Sequence, residues 1–304
     1  ARGCRVSAAA AISGWRARVA GRSMWQYAER LPVPAGADIV TLGEGGTPLV
    51  ASRLATGFTF LWKDESRNPT GSHKDRALSI AATHARACGA RVMVVVSAGS
   101  TGLSNAAYAA QAGLAAVTLV GGEAPAARLM PVHALGSLII NVDAPIDDVI
   151  AAVRDFNGHD GIYDASTTRL SNPMQAEAPK TIAWEIVDDL GSAPDWVIVP
   201  TGGGGTLGGL YRGFRELLDG GAIDRLPRLV AVVPRGYDAL RRALAEGVED
   251  QAGFDALPHD DQVETVLTKL SHAHPPDGLE ALAAIRATGG QVLVCDDARA
   301  IAAV

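Results

Sequence analysis

Lysine is scarce in this chain. Of its 27 basic residues only Lys63, Lys74, Lys180 and Lys269 are lysines, so chemistry that needs a primary amine has few candidates. Cysteine is scarcer: Cys4, Cys88 and Cys295 stand too far apart for a CxxC zinc or redox motif. Their odd number fits no complete disulfide framework, so a reducing cytoplasm is the expected setting. The histidines include one close pair, His272-Ala-His274, without an HExxH pattern or a carboxylate companion, and no metal site is expected. No apolar run approaches the ~18 residues of a membrane span. A net charge of −6 argues against nucleic acid or an anionic membrane as the main partner. The 34 glycines and 16 prolines fall well short of the roughly 25–30% of a low-complexity chain.

What is present describes a globular protein. A chain of 304 residues with 48% hydrophobic and 20% charged content suits one large or two medium domains. From about residue 59, short β-rich runs alternate with alanine-rich stretches. The strands expected are 59–63, 92–96, 116–120, 137–141, 196–200, 228–234 and 291–295. Several are unbroken Val/Ile/Leu runs, as in a parallel sheet covered on both faces. Helices are expected over 74–89, 102–112, 124–134, 145–156, 175–190, 206–219, 237–246 and 278–288, which makes an α/β fold of βαβ units. The predicted division is a lead-in segment (1–34), a small subdomain (92–156), and a discontinuous large domain (35–91 with 157–304). Residues 7–22 read as an amphipathic lead-in helix, and the acidic stretch 246–262 as an irregular surface excursion. The ending DDARAIAAV reads as a helix start, with a final helical element expected to follow.

Three motifs carry chemistry. In NPTGSHKDR (68–76) a turn leads to Ser72 as a candidate N-cap, so Lys74 falls in a first helical turn with Asp75 beside it. The positive end of the helix dipole disfavours an ammonium there and raises the share of neutral, nucleophilic amine. In PTGGGGTLGG (200–209) consecutive glycines between a strand and a helix let backbone N–H groups converge on an anion, with the Thr206 hydroxyl as a further donor. In SAGSTGLSNAAYAA (97–110) small residues and hydroxyls open another helix, a site suited to a carboxylate. An amine, a phosphate cradle and a carboxylate loop together suit pyridoxal phosphate held through lysine. The glycine loop also contains Gly203-x-Gly205-x-x-Gly208, which keeps a dinucleotide-dependent oxidoreductase as an alternative. The following strand, however, ends in Pro234-Arg235-Gly236 rather than an acidic residue.

The ordered motifs LGEGGTPLV (42–50), WKDESRNPTGSHKDR (62–76), the loop 97–113, PKTIAWEI (179–186), DWVIVPTGGGGTLGGLYRGF (195–214) and TGGQVLVCDD (288–297) carry a resemblance, with MWQYAERLP (24–32) as a lead-in. Over roughly residues 24–304 the chain resembles the threonine synthase branch of the pyridoxal-phosphate enzymes with the tryptophan-synthase-β fold, fold type II. The resemblance implies two three-layer αβα subdomains with mostly parallel sheets, and a cytoplasmic homodimer. It makes Lys74 the Schiff-base lysine and catalytic residue, and Gly202, Gly203, Gly204, Gly205 and Thr206 the cradle of the cofactor phosphate. It places Ser100 at the cofactor's 3′-oxygen, where the family has Asn, and Ser97, Gly99 and Thr101 at the substrate carboxylate. The implied reaction converts O-phospho-L-homoserine and water to L-threonine and phosphate.

Two further departures matter. His73 stands where the family has Phe. In RLSNPMQAEAPKT (169–181), Gln175 replaces the Arg that binds the substrate's phosphate, and Arg169-Leu170 replace Asn-Ser. A neutral amide in place of a bidentate phosphate binder leaves a β-eliminating ammonia-lyase acting on serine, threonine or a diamino acid as an alternative. A non-catalytic sensor of the cofactor or an amino acid is the remaining one. The family's partner for the pyridine nitrogen would fall beyond Val304.

Overall fold

The structure, a computed structural model, describes residues 22–52, 58–97, 99–121, 126–144, 146–258 and 263–303. The expected lead-in helix over 7–22 therefore lies, but for Arg22, outside the described residues. The chain forms two compact units that meet in sequence between Thr181 and Ile182.

The first unit contains β1 (Leu49–Ala51), β2 (Leu61–Lys63), α1 (Lys74–Ala87), β3 (Val92–Val96), α2 (Ser100–Ala112), β4 (Ala115–Gly121), α3 (Ala126–Ala134), β5 (Leu138–Val142), α4 (Ile146–Phe156) and β6 (Ile162–Asp164). β1 and β2 pair as an antiparallel ribbon, while the larger sheet runs β5-β4-β3-β6, all parallel. Strand period 2 sorts its two faces. Val94 and Val96, in register with Val117 and Leu119, pack on Val149 and Val153 of α4. Val95 is in register with Thr118 on the other face. There α2 comes so close that a Cβ on Gly102 would lie 3.0 Å from the Thr118 methyl. Three layers result, helix–sheet–helix.

α1 is buried from Asp75 through Ala85. The segment before β1 wraps it: Trp25 Nε1 donates to Ser79 Oγ at 3.0 Å, Ser79 Oγ to the Val40 carbonyl at 2.7 Å, and Val40 N to Thr83 Oγ1 at 3.0 Å. Glu44 is fully buried and accepts from Trp25 Nε1 (2.5 Å), Tyr108 Oη (2.6 Å), Leu42 N (3.0 Å) and Thr41 Oγ1 (3.2 Å). That many donors offset the desolvation of a carboxylate. Burial, and then the Glu44 charge, raise the Tyr108 phenol far above its usual value, so it stays a donor.

The second unit holds most of α5 (Lys180–Leu190), then β7 (Trp196–Pro200), α6 (Gly205–Asp219), β8 (Arg228–Pro234), α7 (Ala239–Glu246), α8 (Gln251–Asp255), α9 (Gly278–Ala287), β9 (Gln291–Cys295) and α10 (Asp297–Ala302). Its sheet is parallel, in the order β7-β8-β9. Central β8 buries Leu229, Val230, Ala231 and Val233, so both its faces are covered.

Within the first unit a buried Ser104–Asp75 hydrogen bond of 2.6 Å joins α1 to α2. One expectation changes. Within 246–262 the described part is not all irregular: α8 forms, with Phe254 and Leu257 buried. The Phe254 ring leaves no room for a side chain at Gly278. Residues 259–262 lie outside the described set.

Candidate active site

The residues singled out by the sequence fall in both units. In the first unit Lys74 is the first residue of α1. Position 73, not Ser72, is the helix cap, and it makes no side-chain cap bond. Ser72 Oγ accepts instead from Lys74 N at 3.3 Å. The half-buried Lys74 amine donates to Thr167 Oγ1 at 3.1 Å. Asp75 is fully buried and accepts from Thr70 N (2.6 Å), Thr70 Oγ1 (2.5 Å) and Ser104 Oγ (2.6 Å). It therefore ties the turn before Lys74 to the first turns of α2. Arg76, also fully buried, forks onto Glu65 with two bonds of 2.8 Å and reaches Thr181 Oγ1 at 2.9 Å and Thr47 Oγ1 at 3.2 Å. Gly45 N donates to Asn68 Oδ1 at 2.9 Å, so the motif around Glu44 and the turn before Lys74 are knit together.

The other lysines are differently placed. Lys63 donates to the Thr47 carbonyl at 2.6 Å, Lys180 is ion-paired with Glu177 at 2.5 Å, and Lys269 is exposed.

Burial first, then the Lys74 charge, lower the His73 pKa from 6.5 to about 3, with Glu65 pulling the other way and Arg76 adding to the fall. Between those two values the unfolded chain binds a proton there and the folded chain does not. Stability therefore rises with pH across that window and is lost as pH falls from 6.5 toward 3. His73→Phe is expected to flatten this part of the profile. Urea midpoints measured from pH 7 to pH 4 check it, with the downward-shifted His84 supplying the residual slope.

Ser97, Gly99, Ser100 and Thr101 lie together at the end of β3 and the start of α2. Gly99 N donates to Ser97 Oγ at 3.1 Å, and no side chain caps α2 at Gly99. Its first-turn N–H groups are thus oriented as for an anion. Gln175 is placed differently. Its side chain is 1% exposed and its amide nitrogen is engaged by the Ser166 carbonyl at 3.1 Å. Arg169 and Leu170 are exposed. Thr167, on the same segment, went unnoticed in the sequence, where nothing but a run of hydroxyls distinguishes it.

In the second unit the cradle follows β7 directly. Thr201 N donates to the Val232 carbonyl at 2.8 Å, and Gly205 opens α6 with Gly204 as its cap residue at φ +94°. A Cβ on Gly204 would stand 2.7 Å from the Asp277 carbonyl oxygen, so both conformation and space demand glycine. A left-handed glycine before an uncapped helix start is the shape of an anion-binding nest, and these residues fit a phosphate group. Among the described residues no group of three or more His, Cys, Asp or Glu is placed to hold a metal, and no helix is long and apolar enough to cross a membrane.

Comparison with known proteins is decisive here. The family model described as "Pyridoxal-phosphate dependent enzyme" matches residues 40–304. The chain belongs to this family. It is 33% identical over 287 residues to the threonine synthase of Methanosarcina acetivorans, covering 92% of this chain and 68% of that one. It is 35% identical over 281 residues to that of Mycobacterium tuberculosis, covering 91% and 74%. Among solved structures it is similar to the diaminopropionate ammonia lyase of Escherichia coli (TM-score 0.66, 20% identity, 84% of this chain and 69% of that chain). It is also similar to maize serine racemase (TM-score 0.64, 20% identity, 83% and 72%). The fold is thus that of the tryptophan-synthase-β-like, fold type II enzymes, and the cofactor is pyridoxal phosphate. The protein is a threonine synthase-like enzyme that uses this cofactor.

Proposed function

We propose that this enzyme is a lyase of the threonine synthase type, converting O-phospho-L-homoserine and water to L-threonine and phosphate. The observation that carries the reading is Lys74 on the first turn of α1 with its amine on Thr167, within a chain about one third identical to threonine synthases along most of its length. When bound, pyridoxal phosphate supplies an electron sink that lets a group leave from the β or γ carbon of an amino acid. Lys74 holds the cofactor and moves protons at the substrate's carbons. Gly202, Gly203, Gly204, Gly205 and Thr206 hold the cofactor's phosphate, and Ser100 donates to its ring oxygen. Ser97, Gly99 and Thr101 orient the substrate carboxylate. The reading includes a cytoplasmic homodimer, whose mass light scattering would give.

One observation favours a second reading, a β-eliminating ammonia-lyase. The amide of buried Gln175 is turned to Ser166, so this position presents no cation to a substrate phosphate. A panel of O-phosphohomoserine, serine, threonine and diaminopropionate, read for phosphate and 2-oxo acid, separates the two. Phosphate release with threonine formation supports the first, and 2-oxo acid without phosphate the second. A colourless protein that cannot be loaded with pyridoxal phosphate would refute both.

A further inference from the structure

The acceptor of the Lys74 amine stands on a loop that braces itself. β6 ends at Asp164, and Thr167 follows with its hydroxyl 3.1 Å from Lys74 Nζ. The backbone is tied down on both sides of Thr167. Before it, Asp164 Oδ1 accepts from Ser166 N at 2.8 Å. The Ser166 carbonyl, part of the peptide that leads into Thr167, accepts from Gln175 Nε2 at 3.1 Å. After it, the Thr168 carbonyl accepts from Asn172 N at 3.0 Å, and Thr168 Oγ1 from Ser171 N at 3.3 Å. Asn172 closes the loop: its Nδ2 donates to the Asp164 carbonyl at 3.0 Å and its Oδ1 accepts from Gln175 N at 3.2 Å. Asn172 and Gln175 are both buried, where hydrogen bonds are stronger than in water and costly to leave unmade.

We propose that Thr167 is the positioning residue for the Lys74 amine, and that Gln175 acts through it. A lysine has a flexible four-carbon stem, so its amine reaches many places unless an acceptor fixes one. The Thr167 hydroxyl takes one N–H of the amine and thereby directs the lone pair. The Gln175 amide fixes the peptide from which that hydroxyl projects. Position 175 then serves the lysine rather than the substrate. This rests on the proposed reading of Lys74 as the residue that holds the cofactor.

The test is the rate at which the cofactor-free full chain captures pyridoxal phosphate, followed by growth of the visible band. It is read on the alkaline plateau, where the amine is neutral and only its orientation matters. In that step the amine nitrogen takes the place of the aldehyde oxygen, which leaves as water. Thr167→Val is expected to capture the cofactor about tenfold more slowly, the worth of one orienting hydrogen bond. Thr167→Ser keeps the hydroxyl and should stay within about twofold of wild type. Gln175→Met, similar in length but without the donor, should also be slower. Thr167→Val combined with Gln175→Met should be no slower than Thr167→Val alone, because both act through one hydroxyl. An unchanged rate in Thr167→Val overturns the proposal, as does Thr167→Ser being equally slow. Multiplied losses in the double variant overturn the role of Gln175. If thermal melting shows that Thr167→Val is unfolded, Thr167→Ala is measured in its place. Loss of the fold in both overturns the proposal, because the hydroxyl would then serve the fold. A visible band retained in Lys74→Ala would instead refute the reading of Lys74 itself.

Discussion

Lys74→Ala is expected to abolish the visible absorbance band of a lysine-linked cofactor and to lower kcat by about 10³-fold or more. The magnitude follows from removing at once the covalent attachment and the group that moves protons, the latter alone being worth about 10²–10⁴. The fold should survive. Lys74 is half-buried, and the variant gives up the hydrogen bond to Thr167 while relieving an ammonium at the positive end of α1. Thermal melting should therefore shift by no more than about 1.5 kcal/mol in stability. The other lysines supply the control. Lys63→Ala and Lys269→Ala should keep the band, and Lys180→Ala should keep it while losing stability through the ion pair with Glu177. Absorbance spectra of the four variants, loaded side by side, check the assignment. A band retained in Lys74→Ala would remove the basis of the proposed function.

The second large effect is on stability. Arg76→Ala is expected to cost about 3–5 kcal/mol, the penalty for breaking a buried ion pair and leaving its partner charge without compensation. Glu65 would lose both bonds of the guanidinium fork, keeping Thr47 and Asn68 as donors, and Thr181 would lose its donor. Arg76→Lys keeps the charge but not the planar fork and should fall between wild type and Arg76→Ala. Because the two groups act as a unit, Arg76→Met combined with Glu65→Met should cost less than the two single changes summed. Urea denaturation of the single and double variants measures this. Additive costs would show that the pair is not coupled.

Much of the fold was legible because it rests on local pattern. β3, β7, β8 and β9 occupy the spans that their apolar runs mark out; β3 and β8, covered on both faces, need no alternation, while edge strands β7 and β9 leave Trp196, Ile198 and Leu293 exposed. β1 and β6, at three residues each, are too short to show a period, and only pairing with β2 and β3 makes them strands. α8 escaped notice because a single aromatic, Phe254, anchors it against Gly278.

The candidate site divides in the same way. Lys74 is picked out by the turn before it and the helix it begins, and the cradle by glycines that alone can take the backbone at Gly204, features that neighbouring residues dictate. What stands opposite those motifs comes from elsewhere in the chain. Thr167 reaches Lys74 across 93 positions, Asp75 meets Ser104 across 29, and Asp277 arrives at Gly205 by way of the loop before α9. By itself the sequence determined the α/β pattern and that Lys74 opens a helix directly after the turn 68–71. Only the tertiary structure decided which hydroxyl receives that lysine's amine, that Gln175 is turned to Ser166, and that the Asp277 carboxylate stands beside the glycine loop. The physical reason is range. Dihedral preferences and hydrophobic periodicity act within a few residues, while hydrogen bonds and charges act between whatever the packed elements bring together.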